Sequence, residues 1–403
     1  MNESVTSENG EFIAINQGDG NFVVYERFTD GSLGEPVWDM WSHKTTHENG
    51  PPAVEPSPQP LPQPLPEPNI PDIPSAPSPA GIVGVPVKIT QGCNPIGMAY
   101  WRNINQHRGQ DILKVFLTIN DELILFIIDK RNLSVLSEKQ LNIHHTGEGC
   151  YFSAVKQNIL FVRIEDTLFE YNVDDGSRNI VWKLTDGNKL WQCHTSYNDD
   201  VHSATIQNSN YNFIKWGVSI RGEQKFFDMG NEPDECQIDK SGNFLVVKES
   251  NINRIIDLRN NDEKFIPRAG RLGHSDCGFE CMLGENDFSE AAGACDYVDL
   301  NDISNRRRMY STGIWNMGYA SFTNAKPSVS LDQQFCLIST PRDIIQVRLD
   351  GNGNGRIICP NFTEDQEYNN RSKANLCPQG EFAIWTALVS GVMTAFIVRV
   401  PPL

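Results

Sequence analysis

Apolar and polar positions alternate through most of this 403-residue chain with the two-residue period of β-strands. Short apolar runs end in turns, and no long helical pattern interrupts them from residue 95 onward. The exception is the range 51–80, where proline stands at nearly every second position. Proline fixes φ and removes the backbone donor, so neither a helix nor a sheet interior is expected there. The pattern predicts an all-β protein with a proline-rich break near its amino end.

A short phrase, an apolar pair followed by aspartate, recurs along the body of the chain and is looser in the last two copies. The copies are Ile127–Asp129, Asn172–Asp174, Phe226–Asp228, Ile255–Asp257, Tyr297–Asp299, Gln346–Asp350 and Phe396–Val400. Successive copies lie on average about 45 residues apart, which is the length of a four-stranded propeller blade. Seven copies predict a seven-bladed β-propeller, with six or eight blades as the alternatives. We expect the last strand, near Ala395–Val400, to be joined by an early strand that closes the ring.

A second phrase, a polar turn that leads into an apolar strand, precedes several of these copies. Examples are Lys240–Val247, Leu331–Ile338 and Pro378–Ile384. This phrase resembles the strand pair of WD40-like and TolB-like propellers. The chain lacks a G-H…W-D signature, so the resemblance is to the architecture and not to one family.

The first 50 residues contain a different alternation. Gln17, Asp19, Asn21, Val23 and Tyr25 fall at steps of two, so on one strand they would share a face. A row of amide, carboxylate, amide and phenol suits a sugar, whose hydroxyls need paired donors and acceptors. The apolar face of the sugar ring would rest on Val23 or Tyr25.

The run from Gln17 to Tyr25 fits the Q-x-D-x-N-x-V-x-Y signature of the bulb-type (monocot) mannose-binding lectins, which it resembles at every fixed position. The resemblance implies that Asp19 and Asn21 bind one mannose hydroxyl. It also implies that Gln17 and Tyr25 bind the neighbouring hydroxyls and that Val23 contacts the ring carbons. The predicted ligand is therefore a mannose-like glycan.

The resemblance covers only about 40 residues, including Pro36-Val37-Trp38, which is similar to the strand that closes each repeat of that family. Family members carry three such repeats in a three-sided β-prism, and this chain has one. One repeat cannot bury its own apolar face. Either three chains each contribute a side, or the repeat packs on something else. Such a repeat can also persist as scaffold without a working sugar site.

The chain thus divides into three predicted parts: a bulb-type lectin-like β repeat over 1–50, a proline-rich extended linker over 51–86, and a β-propeller over 87–403. The linker is interpreted as a stiff polyproline II rod that rises about 3.1 Å per residue. An ordinary disordered tether is the alternative.

Charge and hydropathy exclude several classes of partner. The net charge of −17 and the pI near 4.9 argue against nucleic acid and against anionic membranes. The amino end predicts no secretory signal, and no run has the length of a membrane span, so no membrane insertion is expected.

The ten cysteines lie mostly in apolar strand-like runs, which predicts buried thiols and not disulfides. Cys277, Cys281 and Cys295 form the densest cluster, but a fourth nearby ligand is lacking and zinc is not predicted. The basic run 306–308 is interpreted as a solvated or salt-bridged loop.

Three histidines, His145, His194 and His274, are predicted at the mouths of the propeller channel, each ahead of an inner strand. Propeller polysaccharide lyases of the oligogalacturonate type hold a metal with channel histidines, which makes these three weak candidates for metal ligands. Their spacing follows the blade period and not a local ligand motif. The preferred interpretation is hydrogen-bonded histidines with no metal, and no cofactor is predicted.

These patterns together predict a non-enzymatic carbohydrate-binding adhesion or recognition protein. The lectin-like repeat, linker and propeller look like a virion component, such as a bacteriophage tail or decoration protein that attaches to host glycans. Such a protein assembles in the host cytoplasm and is exposed outside the cell in use. Its expected partners are other virion proteins or copies of itself, as in a trimer. The alternatives are a polysaccharide lyase-like enzyme with a lectin module, and a scaffold that only binds proteins.

Overall fold

The structure of the protein is a computed structural model that separates the chain into two units, Met1–Gln63 and Pro64–Leu403. The residues it describes are 4–6, 12–16, 22–27, 33–39, 84–95, 102–105, 109–144, 149–286, 294–311, 320–322, 334–340, 342–350, 355–364 and 372–402. The predicted proline-rich rod at 51–80 lies outside the described residues. Within the described part of the chain, no helix has the length and hydropathy of a membrane span.

The first unit contains one four-stranded antiparallel sheet in the order β1-β2-β3-β4. Its strands are β1 (Ser4–Thr6), β2 (Phe12–Asn16), β3 (Phe22–Arg27) and β4 (Leu33–Asp39).

The second unit is a seven-bladed β-propeller, as predicted, and each blade is a four-stranded antiparallel sheet. The first three blades are β6 (Ile104–Asn105), β7 (Ile112–Ile119), β8 (Glu122–Asp129) and β9 (Val135–His144); β10 (Cys150–Phe152), β11 (Ile159–Ile164), β12 (Thr167–Asn172) and β13 (Arg178–Lys183); and β14 (Lys189–Thr195), β15 (Val201–Gln207), β16 (Phe213–Ile220) and β17 (Glu223–Asp228). The fourth and fifth are β18 (Pro233–Ile238), β19 (Phe244–Glu249), β20 (Ile252–Asp257) and β21 (Glu263–Pro267); and β22 (Leu272–Cys277), β23 (Cys281–Asn286), β24 (Ala294–Asp299) and β25 (Arg306–Ser311). The last two are β26 (Ala320–Phe322), β27 (Phe335–Ser339), β28 (Asp343–Arg348) and β29 (Gly355–Pro360); and β30 (Asn375–Leu376), β31 (Phe382–Val389) and β32 (Val392–Arg399), completed by β5 (Val87–Gln91). Among the residues that the structure describes, one 3-10 turn, Arg268–Gly270, follows β21.

The ring is closed by β5, which forms the fourth strand of the seventh blade although it precedes the first blade in sequence. It pairs antiparallel with β32, with Val87 opposite Ile397. Just before β5, the Gly84 N–H donates to the carbonyl of Ile358 on β29, at 2.8 Å. The predicted closure by an early strand is confirmed.

Apolar residues fill the space between successive blades, because each blade packs on a neighbour with both of its faces. One core cluster joins the last blade to the first and includes Ile104, Leu113, Phe382 and Ile397, all at most 1% exposed. The strand β19 is buried at every position, so its apolar residues Phe244–Val247 form a continuous run and not an alternation, and the charged Lys248 and Glu249 that follow are buried as well.

The recurring aspartate phrase marks the end of the third strand in all blades but one. At Asp129, Asp257 and Asp299 the side chain accepts the backbone N–H two residues later, at 2.7, 3.0 and 2.9 Å, which starts the turn to the fourth strand. The copy at Phe226–Asp228 is the exception, because it lies on β17, the fourth strand of its blade. The blade count was right although one copy of the phrase occupies a different strand.

Candidate functional site

Of the five residues predicted to form a sugar site on one strand, the structure describes two. Val23 and Tyr25 lie on β3. Gln17, Asp19 and Asn21 fall between β2 and β3 in the chain and are outside the described residues.

His194 and His274 lie on β14 and β22, the first strands of their blades, and not in the loops that precede them. The Nδ1 of His194 is 3.0 Å from the carbonyl oxygen of Ile238. The Nδ1 of His274 is 3.3 Å from a carboxylate oxygen of Glu285. His145 lies outside the described residues. No group of three or more His, Cys, Asp or Glu able to hold a metal occurs among the residues that the structure describes.

All ten cysteines are described and buried, and none of them is joined in a disulfide, as predicted. Burial raises the pKa of the Cys281 thiol to about 12. The Cys277 thiol donates to the Gln237 side-chain oxygen at 3.2 Å. Because the nucleophilic form of cysteine is the thiolate, buried thiols of this kind are unreactive at neutral pH.

The basic run is a strand and not a loop, since Arg306 opens β25. Arg306 and Arg308 both donate to the carboxylate of Asp296, at 2.7 and 3.1 Å. Asp296 is fully buried, so the run serves to compensate a buried charge, which agrees with its interpretation as salt-bridged.

The first strands of neighbouring blades contact each other: β14 contacts β18, and β18 contacts β22. These first strands therefore surround the channel. We call the connection from the first to the second strand of a blade the A–B turn. Three A–B turns are joined at one end of the channel: the Tyr197 N–H donates to Lys240 O at 2.9 Å, and the Lys240 N–H donates to Gly278 O at 2.8 Å. The turns of the third, fourth and fifth blades therefore form a continuous rim.

Four buried side chains, Arg102, Tyr151, Asp199 and His202, lie at this rim and form what we call the channel cluster. The guanidinium carbon of Arg102 is 5.5 Å from the centre of the Tyr151 ring. Arg102 also interacts electrostatically with Asp199 and with His202. The cluster draws its members from the first three blades.

Several polar atoms of the channel cluster have no hydrogen-bond partner within the described part of the chain. These atoms are the Tyr151 hydroxyl, Asp199 Oδ1 and His202 Nδ1. The other Asp199 oxygen accepts the Ser153 hydroxyl at 2.6 Å. Buried polar groups are nearly always paired, so an orphaned set of this size requires an explanation.

Burial and the Arg102 charge set the ionisation of the cluster. Burial first, and Arg102 second, lower the pKa of His202 to about 3, so its ring is neutral at physiological pH. Burial raises the pKa of Asp199, and the attraction of Arg102 opposes that rise. Burial also lowers the pKa of Arg102, although an arginine remains protonated in proteins.

A second buried pair lies next to the cluster. The Lys240 ammonium is 3.6 Å from a carboxylate oxygen of Asp276, and both side chains are less than a tenth exposed. Each interacts electrostatically with Arg102. Two cations and two carboxyl groups thus share this end of the channel, and their charges nearly cancel.

The backbone at Asp199 adopts a conformation that favours glycine. Its φ is 63°, in the left-handed region, where the equivalent positions of the fourth and seventh blades hold Gly242 and Gly380 with φ of 79° and 77°. A side chain in this region costs about 1–2 kcal/mol, although aspartate tolerates it better than most. Sequence reasoning missed Asp199. Alignment of Ser196–Val201 with Asp239–Phe244 would have revealed an acidic residue in a glycine position.

Comparison with known proteins identifies the architecture. No protein-family model matches the chain, and no curated protein sequence matches it. The solved oligogalacturonate lyase from Vibrio parahaemolyticus superposes with a TM-score of 0.56 at 8% identity, over 78% of this chain and 93% of that one. An oligogalacturonate lyase in complex with manganese gives a TM-score of 0.57 at 9% identity, over 80% of this chain and 99% of that one. At such low identity these likenesses show the propeller fold and nothing finer.

Proposed function

We propose that the protein is a non-enzymatic carbohydrate-recognition protein whose amino-terminal sheet binds a mannose-like sugar. The observation that carries this proposal is the run from Gln17 to Tyr25, which follows β2 and continues onto β3 of an antiparallel sheet. Its amide, carboxylate and phenol groups supply the donors and acceptors that sugar hydroxyls require.

The single sheet favours a multimeric protein in this proposal. One four-stranded sheet has an apolar face that it cannot bury alone, and a three-sided prism requires three such sheets. We therefore propose a trimer, or an assembly with other virion proteins, at the surface of a phage-like particle assembled in the host cytoplasm. Several weak sugar sites on one particle raise its overall avidity for a host glycan.

The test is a glycan array probed with the wild type, Asn21→Ala and the matched variant Asn9→Ala. Asn21→Ala removes one polar partner of a sugar hydroxyl, which costs about 1–3 kcal/mol of binding, whereas Asn9→Ala lies outside the motif and leaves binding intact. Wild type that binds no mannose-like sugar, or equal binding by both variants, overturns the proposal. Light scattering of the full chain measures the expected trimer separately.

A second candidate is a glycan-degrading enzyme of the polysaccharide lyase kind. The observation that favours it is the likeness of the propeller to two oligogalacturonate lyases, one of them solved with manganese. This candidate predicts that the full chain cleaves oligogalacturonate to an unsaturated product in the presence of Mn²⁺. The recognition proposal predicts no cleavage, and UV absorbance of the product separates the two.

A further inference from the structure

We propose that the channel cluster binds a small hydroxycarboxylate, with the carboxylate on Arg102 and the hydroxyl groups on the orphaned atoms of Tyr151, Asp199 and His202. This inference concerns the propeller and goes beyond the sugar site proposed for the amino-terminal sheet.

The first argument is the state of Arg102. Its side chain is only 8% exposed, yet across the described residues its guanidinium makes a single hydrogen bond, a long one of 3.5 Å to the carbonyl of Thr195. A guanidinium carries five N–H donors in a planar fork that matches a carboxylate. None of the Arg102 nitrogens is among the buried unpartnered atoms of the described residues, so its remaining donors are accessible, and we infer that an anion completes their hydrogen bonding.

The second argument is that the nearby carboxyl groups do not fill this role. Arg102 is attracted to Asp199 and Asp276, but no ion pair joins it to either of them in the described part of the chain. Asp199 instead accepts the Ser153 hydroxyl, and Asp276 lies beside Lys240. Because Arg102 is attracted to these two carboxyl groups without contacting them, its N–H donors are available to an external carboxylate.

The third argument concerns the character of the ligand. The Tyr151 hydroxyl, Asp199 Oδ1 and His202 Nδ1 are orphaned polar atoms on side chains 1%, 9% and 1% exposed. They include a carboxylate oxygen, which accepts hydrogen bonds, and a phenol, which both donates and accepts. Hydroxyl groups satisfy such a mixed set, whereas a simple anion would leave Asp199 facing a like charge.

The fourth argument is the charge balance. Two cations and two carboxyl groups occupy this end of the channel, so a single negative charge is tolerated, while a dianion such as phosphate is repelled.

The experiment measures binding of gluconate to the full chain by calorimetry and by the shift of melting temperature. Acetate serves as the carboxylate without hydroxyls, sorbitol as the polyol without charge, and sodium chloride as the ionic control. We expect gluconate to bind more tightly than acetate, and sorbitol and chloride to give no shift. The proposal is overturned if gluconate raises the melting temperature no more than chloride does at equal ionic strength, or no more than sorbitol does.

The decisive variant is Arg102→Gln, which should weaken gluconate binding about ten- to hundredfold. Its matched control is Arg131→Gln, an exposed arginine paired with Asp129 at 2.8 Å, which should bind as the wild type does. Equal affinity of both variants contradicts the proposal.

Tyr151→Phe keeps the proposal testable if Arg102→Gln fails to fold. The Tyr151 hydroxyl has no partner in the described residues, so its removal should raise the melting temperature of the free protein and weaken gluconate binding a few-fold. A role in packing alone predicts unchanged gluconate affinity. Asn21→Ala should leave gluconate binding unaffected, which separates this site from the proposed sugar site.

Discussion

The A–B turns of the third and fourth blades share one hydrogen-bond pattern but carry different side chains at the rim. In each turn, the side chain of the first residue accepts a hydrogen bond from the backbone N–H of the first residue of the second strand. The Val201 N–H donates to Ser196 Oγ at 3.1 Å, and the Phe244 N–H donates to Asp239 Oδ1 at 2.8 Å. The fourth-blade turn then uses Gly242 where the third uses Asp199.

The difference teaches how a repeated scaffold acquires a site. The fourth-blade turn is satisfied: Asp239 also accepts the Ser241 N–H, the Ser241 hydroxyl and the Glu280 N–H from the next blade. The third-blade turn keeps the same frame but carries a left-handed aspartate with an orphaned oxygen. The fourth-blade turn thus pairs its buried carboxylate fully, whereas the third-blade turn leaves a carboxylate oxygen of Asp199 unpaired near the buried Arg102.

The largest effect is expected from removing the Asp239 carboxylate, which we call the fourth-blade cap because it accepts the hydrogen bonds of that turn. Asp239→Ala deletes the acceptor of several hydrogen bonds and leaves the buried Phe244 N–H without its side-chain partner, so we expect a loss of about 3 kcal/mol in the free energy of unfolding. Urea denaturation measures it. The control Asp200→Ala, in the third-blade turn, removes a partly exposed pair with Arg221 and should cost under about 1 kcal/mol. Equal losses would show that the cap adds no more than a surface pair.

Placing an aspartate at Gly242 of the fourth blade, as Asp199 stands in the third, should also destabilise the protein. Gly242→Asp places a Cβ 2.9 Å from Val201 Cγ2 at a φ of 79°, and we expect a loss of about 2 kcal/mol. Gly187→Asp is the control for backbone strain alone, because it has a φ of 77° and nothing within 4 Å of an added Cβ. It should cost about 1 kcal/mol. Indistinguishable melting of the two variants would remove the crowding argument.

Lowering the pH should destabilise the protein through His202 of the third blade, whereas the equivalent residue of the fourth blade, Leu245, does not titrate. His202 is the second residue of β15, where β19 holds Leu245, fully buried. Because the folded-state pKa of His202 is lowered to about 3, the unfolded chain binds more protons between its ordinary pKa, near 6.5, and that value. Stability is therefore present above about pH 6.5 and falls by about 1.4 kcal/mol for each pH unit below it.

His202→Leu should abolish this part of the acid response, as measured by urea denaturation at neutral pH and one unit below pH 6.5. Asp199, whose pKa is raised by burial, takes up a proton when folded and offsets some of the loss at lower pH in both proteins. The difference between wild type and variant isolates the histidine. An identical acid response in the two would mean that His202 is not buried as described.

The smallest effect concerns the seventh blade, whose A–B turn is capped by a thiol. Cys377 Sγ accepts the N–H groups of Glu381 and Phe382, both at 3.2 Å. Cys377→Ser supplies the acceptor used by the third blade and should cost only about 0.5 kcal/mol, whereas Cys377→Ala leaves a buried N–H unpaired and should cost about 1.5 kcal/mol. Thermal melting that ranks the two in the opposite order would contradict a capping role.

The architecture followed from the sequence because each blade repeats the same turn chemistry. Asp129, Asp257 and Asp299 start equivalent turns for the same physical reason, so their spacing carried the blade period. The buried thiols were predictable as well, since cysteine in an apolar strand behaves as a small apolar residue.

The channel cluster could not be predicted in the same way. Its members come from three consecutive blades and meet only when these blades pack side by side, and Arg102 lies in no repeated phrase. The sequence places His194 ahead of an apolar strand, whereas in the fold His194 already lies on β14, which itself borders the channel. Only Asp199 left a local signal, as an acidic residue in a glycine position of the turn.

The contact at Gly84 has a mechanical consequence. A Cβ there would lie 2.7 Å from Val398 Cγ2 and 3.2 Å from Ile358 O, so glycine is required for the chain to pass between the sixth and seventh blades and enter β5. Tension on the preceding segment would reach this clamp before the β5–β32 ladder. When a strand is pulled along its own axis, its hydrogen bonds are loaded together and not opened one after another. The strand that completes the ring is thus also placed to resist force applied through the chain that precedes Gly84.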